Sequence, residues 1–227
     1  ATAPSRWDGT DWLEASGVVG AGAGVYFGLD VAVRRAARRN AGPAANRAAD
    51  AGQAFGNGLY VVPGLLLAYA GGRLGDDDKL SRAALDAGES LALASAVSAT
   101  VKGLAGRERP YVNGDHAAWH GPSFTNDRFS FPSGHTTAAF SVATIFASEY
   151  GDHAWVPYVA YGLAGVTAAS RVERDKHWAS DVFAGGALGY FVSKSVLASR
   201  RKSAAKFAVV PWLDGRGATG ARVCAKF

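Results

Sequence analysis

The chain has 227 residues, of which 48% are hydrophobic, and its 24 Lys and Arg exceed its 19 Asp and Glu, giving a net charge of +5. This length allows a single domain with a substantial core, and the positive charge suits an anionic substrate or surface. The single cysteine excludes an intrachain disulfide and a cysteine-based metal cluster, and the basic runs lack the interleaved aromatic residues that stack nucleic-acid bases.

Six apolar segments follow one another along the chain, each rich in Ala, Leu, Val and Gly with few helix breakers inside. Their composition and length predict helices. The tail differs, since two short apolar stretches within 206–227 flank a glycine-rich turn and predict a possible β-hairpin. We therefore expect an all-α fold, a bundle of about six helices formed by residues 1–227 as one domain. The predicted helices cover 13–33, 55–72, 83–104, 136–150, 154–170 and 179–199.

Two basic residues stand near the end of the third predicted helix. Lys102 and Arg109 are seven positions apart, which is about two helical turns, so they share a face. Such a pair can bind an anion, or it can simply lie in solvent and complement the helix dipole. For the neighbouring Arg107 and Glu108 we expect the solvent-exposed arrangement.

The fourth predicted helix opens with Ser133, Gly134 and His135, directly after a proline. The start of a helix leaves backbone N–H groups unpaired and carries partial positive charge, so it binds anions readily. Glycine also lets a ligand approach the backbone closely. The alternative is an ordinary turn in which Ser133 caps the helix.

A third cluster spans the connection between the fifth and sixth predicted helices. His177 and Asp181 are four positions apart, so Asp181 can accept a hydrogen bond from one ring nitrogen and leave the lone pair of the other facing outward. Arg171, at the end of the fifth helix, can come close across the short turn. The alternative is a surface pair worth about 0.3–0.5 kcal/mol.

Together the three clusters read K-x6-R-P, then P-S-G-H, then S-R-x5-H-x3-D. This combination resembles the signature of the type 2 phosphatidic acid phosphatase superfamily, which includes lipid phosphate phosphatases, class A acid phosphatases and vanadium haloperoxidases. Every specified position is present, in order. The resemblance covers about 102–189, so the motif-bearing core is about 83–199, and the first hundred residues and the tail carry no match.

The resemblance implies three catalytic residues. His177, oriented by Asp181, would attack phosphorus and form a phosphohistidine. His135 would protonate the leaving alcohol and then activate the water that releases phosphate. Since cationic side chains can neutralise the charge of the transition state, no metal or other cofactor is expected.

The resemblance also implies five phosphate-binding residues. Lys102, Arg109 and Arg171 would hold the phosphoryl oxygens, while the Ser133 hydroxyl and the Gly134 N–H would add donors. The active site is therefore expected at one end of the bundle.

The resulting hypothesis is a metal-independent phosphatase that hydrolyses phosphomonoesters or diphosphates. The apolar helices and basic helix ends favour a lipid or amphiphilic substrate, with a soluble-substrate acid phosphatase as the alternative. A vanadate-dependent haloperoxidase is a further alternative, which the modest chain length disfavours. No nucleic-acid partner is expected, and the oligomeric state is open.

The compartment is predicted from weaker signals. The chain contains no methionine, which removal of an export signal would explain. The predicted helices straddle the roughly 20 residues needed to cross a bilayer, yet the mean hydropathy is only +0.01. We therefore expect an exported, periplasmic protein, soluble or peripheral at a membrane surface, with an integral protein of six spans as the alternative.

Overall fold

The computed structural model describes residues 9–213 and 219–225, with side chains for residues 9, 10 and 12–201. The fold is all-α as predicted, but the described residues form nine helices rather than six. These are α1 (Gly9–Gly28), α2 (Asp30–Asn40), α3 (Pro43–Ala54), α4 (Gly58–Leu74), α5 (Asp78–Ala105), α6 (Pro110–Asn113), α7 (Gly134–Glu149), α8 (Trp155–Glu173) and α9 (Ala179–Lys206).

The centre of the fold is α7, which packs against α5, α8 and α9. Its buried face is made of small residues, among them Ala139 and Ala143, which pack with Ala164 of α8. Small residues on α9 complete the close packing, since a Cβ added at Gly189 would lie 2.4 Å from the Thr137 carbonyl oxygen. The backbones of α7 and α9 therefore lie nearly in contact.

The helix predicted over 13–33 is in fact two helices. α1 ends at Gly28, and α2 leaves it at an angle of 56°. Asp30, the first residue of α2, is buried, and its carboxylate accepts a hydrogen bond of 2.7 Å from the Ser180 backbone N–H. This long-range contact accompanies the bend, and no local feature of the sequence signals it.

The sequence does not predict helix α3 or most of α2, because the predicted helices are the apolar segments alone. Both are polar on average and rich in alanine, which is a strong helix former. Pro43 begins α3, where its missing N–H costs nothing, and Arg38 and Arg39 lie in the last turn of α2, where they complement the helix dipole.

An ion-pair cluster attaches α2 to the turn between α8 and α9. Asp175 accepts hydrogen bonds from Arg34 Nε at 2.7 Å and Nη2 at 2.9 Å, and from Arg38 Nη1 at 3.0 Å. The N-terminal part of the chain is thereby packed across the end of the bundle at which α8 ends and α9 begins.

After α9 the backbone continues as β1 (Phe207–Leu213) and β2 (Thr219–Ala225), paired antiparallel with Val210 opposite Arg222. The helical part alone contains the site described below.

Length and composition allow few membrane spans in the described residues. The segment Ala179–Arg201 of α9 is long and apolar enough to cross a bilayer. Two bent pairs, α1 with α2 and α3 with α4, would bring the number to three if each pair were one span.

Candidate active site

Four helix ends meet at one end of the bundle. α5 and α8 end there, and α7 and α9 begin there. A backbone hydrogen bond of 2.9 Å from the Ser133 N–H to the Asp181 carbonyl joins the starts of α7 and α9. The three clusters identified in the sequence therefore lie together, although they span 80 residues of the chain, from Lys102 to Asp181.

Lys102 lies in the last turn of α5, and its ammonium group faces the segment that precedes α7. Nζ donates to the carbonyl oxygens of Phe129 at 3.0 Å and Ser130 at 3.4 Å, and also to that of Pro132. Burial lowers the pKa of Lys102 to about 8, although the Asp181 carboxylate opposes the shift. The lysine thus connects α5 to the start of α7.

The two arginines predicted to bind phosphate are held by neutral partners. Arg109 donates from Nε to the Asn126 carbonyl oxygen at 2.8 Å and from Nη2 to its side-chain oxygen at 3.1 Å. Arg171, only 6% exposed, donates from Nη1 to Gln53 Oε1 at 2.8 Å, while its buried Nε has no partner. Both guanidinium groups therefore keep an uncompensated positive charge.

The residues before His135 shape the start of α7. Ser133 precedes the helix, and its buried Oγ accepts a hydrogen bond of 2.9 Å from Thr136 Oγ1, which leaves the Ser133 hydrogen for a further acceptor. A Cβ added at Gly134 would lie 3.5 Å from Lys102 Cε, an ordinary contact. Protein packing therefore does not require glycine here, and its absent side chain leaves room beside the lysine.

His135 lies in the first turn of α7 and is partly buried. Its pKa is lowered to about 4, first by burial and then by the positive charges of Arg171, Lys102 and Arg109. The imidazole is consequently neutral near pH 7. A bound anion would offset those charges and favour the protonated form.

His177 lies in the turn between α8 and α9 and is 3% exposed. Its Nδ1 is 2.7 Å from the Ser130 carbonyl oxygen, which can only accept, so Nδ1 carries the hydrogen and Nε2 presents a lone pair. Burial lowers the pKa of His177 to about 3, with the Asp181 carboxylate opposing. The ring is therefore neutral, in the tautomer that a nucleophile at Nε2 needs.

The predicted hydrogen bond between His177 and Asp181 is replaced by another arrangement. Their closest atoms, Nδ1 and Oδ2, are 3.6 Å apart. Asp181 Oδ2 instead accepts from the Trp178 N–H at 2.8 Å and from the hydroxyl of Ser130, whose carbonyl holds the histidine. The carboxylate therefore acts on His177 through its charge and by fixing Ser130.

The expectation of solvent-exposed charges at Arg107 and Glu108 is wrong. Arg107 is 1% exposed and Glu108 is 9% exposed. Gly106, in the left-handed region at φ 57°, ends α5 before them and turns the chain inward. This glycine was the signal available in the sequence, because a charged residue beyond the helix end no longer lies on the helix surface.

Sequence reasoning also missed Asp30 and Gln53. Asp30 contacts Arg107 and Ser180, and Gln53 contacts Arg171. These partners are separated by 77 to 150 positions, and neither residue belongs to a motif. Nothing local in the sequence could have identified them.

No group of three or more His, Cys, Asp and Glu side chains suited to a metal ion occurs in the part of the chain that the structure describes. The expectation of metal-free chemistry stays a prediction, because it depends on Lys102, Arg109 and Arg171 neutralising the charge of the transition state in place of a metal ion.

Comparison with known proteins gives one family match. The model of the PAP2 superfamily matches residues 83–204, which include every predicted site residue. A curated protein from Porphyromonas gingivalis, named Lipid A 1-phosphatase, is 46% identical over 66 residues. The matched stretch is 29% of this chain and only 15% of that protein.

Two solved structures share the fold. The crystal structure of Aquifex aeolicus LpxE superposes with a TM-score of 0.59 at 19% identity and covers 75% of this chain and 95% of the other. A transmembrane PAP2-type phosphatidylglycerolphosphate phosphatase from Bacillus subtilis superposes with a TM-score of 0.55 at 21% identity, covering 76% and 85%. At these identities the likeness establishes the architecture alone.

Proposed function

The chain belongs to the PAP2 superfamily, and from this membership we propose that it is a metal-independent phosphatase acting on a phosphorylated lipid or amphiphile. The observation that carries the proposal is the uncompensated charge of Lys102, Arg109 and Arg171. Their hydrogen bonds go to carbonyl and amide oxygens, and no carboxylate pairs with them among the described residues. Three cations that lie close together without a paired carboxylate repel one another, so a bound anion stabilises them.

The proposed reaction proceeds in two steps. First, the lone pair of His177 Nε2 attacks phosphorus, the bond from phosphorus to the leaving oxygen breaks, and His135 gives that oxygen its proton. Then His135 takes a proton from water, the resulting hydroxide attacks the phosphohistidine, and inorganic phosphate leaves neutral His177. Lys102, Arg109 and Arg171 hold the phosphoryl oxygens in both steps, each charged contact contributing about 1.5–3 kcal/mol.

An apolar groove supports a lipid substrate. It lies between α7 and α8, has a volume of about 250 Å³ and is lined by apolar side chains only. Ala139, one helical turn beyond His135, lines the end nearer the site, as does Phe55, and Trp155 lines the other end. An alkyl chain lying there would place its phosphorylated end beside His135.

A panel of substrates tests the proposal. We expect purified protein to release phosphate from phosphatidic acid, lipid A phosphate or a polyprenyl diphosphate in mixed micelles faster than from sugar or nucleotide phosphates. Vanadate should inhibit the reaction, and EDTA should leave it unchanged. Turnover confined to soluble esters would contradict the lipid assignment, and strong EDTA sensitivity would contradict the metal-free mechanism.

The matched variants are His177→Ala and His153→Ala. We expect His177→Ala to lower kcat at least about 1000-fold, since the nucleophile is gone. His153 is 61% exposed beside Asp152 in the connection between α7 and α8, so its replacement should leave kcat unchanged. A phosphatase that survived His177→Ala would not work through this histidine.

A further inference from the structure

A buried charge triad lies behind His177. Asp181 Oδ1 accepts a hydrogen bond of 2.6 Å from Arg107 Nη1, and Arg107 Nη2 donates to Asp30 Oδ2 at 2.7 Å. The side chains of all three residues are completely inaccessible to solvent. The order of groups is therefore carboxylate, guanidinium, carboxylate, with Asp181 at the end that faces the histidine.

All five N–H groups of the Arg107 guanidinium have partners. Besides the two carboxylates, Nη1 donates to Ser180 Oγ at 2.7 Å, and Nη2 and Nε donate to the His116 carbonyl at 2.8 and 3.2 Å. A planar group with every donor used has one orientation. Arg107 consequently fixes the position of Asp181 Oδ1, which has no other hydrogen-bond donor in the described part of the chain.

Asp30 is held as firmly at the other end. Oδ1 accepts from the Ser180 N–H at 2.7 Å, and Oδ2 accepts from the Ser180 hydroxyl at 2.7 Å. Ser180 lies in the first turn of α9, where unpaired N–H groups favour a carboxylate. Because of the bend between α1 and α2, the Asp30 carboxylate lies at the start of α9, where Asp181 also lies.

The charges of the triad sum to −1, and this net charge sets the electrostatic potential at His177. Arg107 with Asp181 alone would be a neutral ion pair. Asp30 compensates Arg107, which leaves one net negative charge in a region where water does not screen it. When Nε2 bonds to phosphorus, the ring keeps its Nδ1 hydrogen and becomes cationic, so a net negative neighbour stabilises it.

We propose that Asp30 and Arg107 are positioning residues that hold Asp181 in place and set the triad to a net charge of −1, which stabilises the cationic ring of phosphorylated His177. This inference rests on the phosphohistidine chemistry proposed above. Asp30 lies outside residues 83–204, so the triad adds a residue from the N-terminal part of the chain to the reaction machinery of the family core.

Charge-changing variants separate this role from a merely structural one. Asp30→Asn makes the triad neutral, and we expect kcat to fall about 10- to 100-fold, as for other residues that act through a reacting group. KM should change less than about threefold, because Lys102, Arg109 and Arg171 are untouched. Adding Arg107→Gln returns the net charge to −1 and keeps a side-chain N–H that can donate to Asp181 Oδ1, so we expect the double variant to recover at least about fivefold of the lost kcat.

The outcomes are distinct. If Asp30 only supports the fold, removing a second buried partner lowers kcat further, so a double variant at or below Asp30→Asn overturns the proposal. Asp86→Asn is the matched control, because it removes a buried carboxylate of α5 that pairs with Arg200 of α9, away from His177 and Asp181. Its kcat should stay within about twofold of wild type.

Folding and the parent hypothesis are checked in the same series. Thermal unfolding shows whether each variant folds. If Asp30→Asn or the double variant does not, Ser180→Ala is measured instead. A kcat loss of about threefold or more at unchanged KM supports the triad, and wild-type kcat contradicts it. Wild-type protein that released no phosphate from any substrate would refute the proposed function itself.

Discussion

At the scale of single residues, the two histidines of the site differ in what fixes their protonation. His177 is fully buried, and a carbonyl fixes its Nδ1 hydrogen, so its lone pair points from Nε2. Burial and three nearby cations lower the pKa of His135, so the ring stays neutral unless a bound anion offsets their charge. Binding of an anion and protonation of His135 are therefore linked.

This linkage predicts how stability depends on pH. The pKa of His135 is about 4 in the folded protein and about 6.5 when unfolded, so between these values the unfolded chain binds more protons. Stability should then fall as the pH falls from about 7 to about 4, and a bound dianion, which raises the pKa of His135, should oppose the fall.

Thermal unfolding with and without sulfate measures the effect. We expect sulfate to raise Tm more at about pH 5 than at about pH 8, and His135→Asn to reduce that difference, since no proton is then taken up. Equal stabilisation at the two pH values in the wild type would mean that His135 is not linked to the anion.

At the scale of elements, the sequence predicted helices where α4, α5, α7, α8 and α9 occur, because these are long and apolar. It did not predict α3 or the separate helix α2, because both are polar on average and only long apolar segments predict helices. It also did not reveal how closely α7 and α9 approach, since that depends on glycines whose partners are distant in sequence.

The contact between α7 and α9 gives a stability prediction. Gly189→Ala would place a Cβ 2.4 Å from the Thr137 carbonyl oxygen, and we expect a loss of about 1–3 kcal/mol through overpacking. Gly165→Ala in α8 is the matched control, because no atom lies within 4 Å of its added Cβ. It should stabilise by about 0.5–1 kcal/mol through helix propensity.

Thermal melts of both variants in the same buffer check this contrast. Gly189→Ala should melt below the wild type and Gly165→Ala at or above it. Equal Tm values for the two variants would mean that the helices separate without cost and that the close packing is unimportant.

At the scale of the whole molecule, the distribution of apolar residues favours a membrane environment. Many large apolar side chains outside the site are exposed, and large exposed apolar surfaces mark contacts with membranes or partners. The family match and the groove between α7 and α8 agree with a lipid substrate. The exposed apolar side chains include those of Leu13, Phe27, Leu59, Leu67, Leu74 and Tyr158, which are 73 to 88% exposed.

Fractionation tests this environment. We expect the protein to sediment with membranes, to remain there in high salt and to be released by detergent, because apolar burial is insensitive to ionic strength whereas surface ion pairs are screened. Release by salt would favour the peripheral arrangement, and recovery in the soluble fraction without detergent would contradict membrane association.

The sequence by itself determined the helical class, the family and the identity of the eight candidate site residues, because each motif is short and its spacing is local. Only the tertiary structure decided that Asp181 bonds to Ser130 and Arg107, that Arg107 is buried, and that Asp30 and Gln53 contact Arg107 and Arg171. These contacts join residues up to 150 positions apart. Such pairs form where helix ends meet, and no local pattern of residue types encodes which ends will meet.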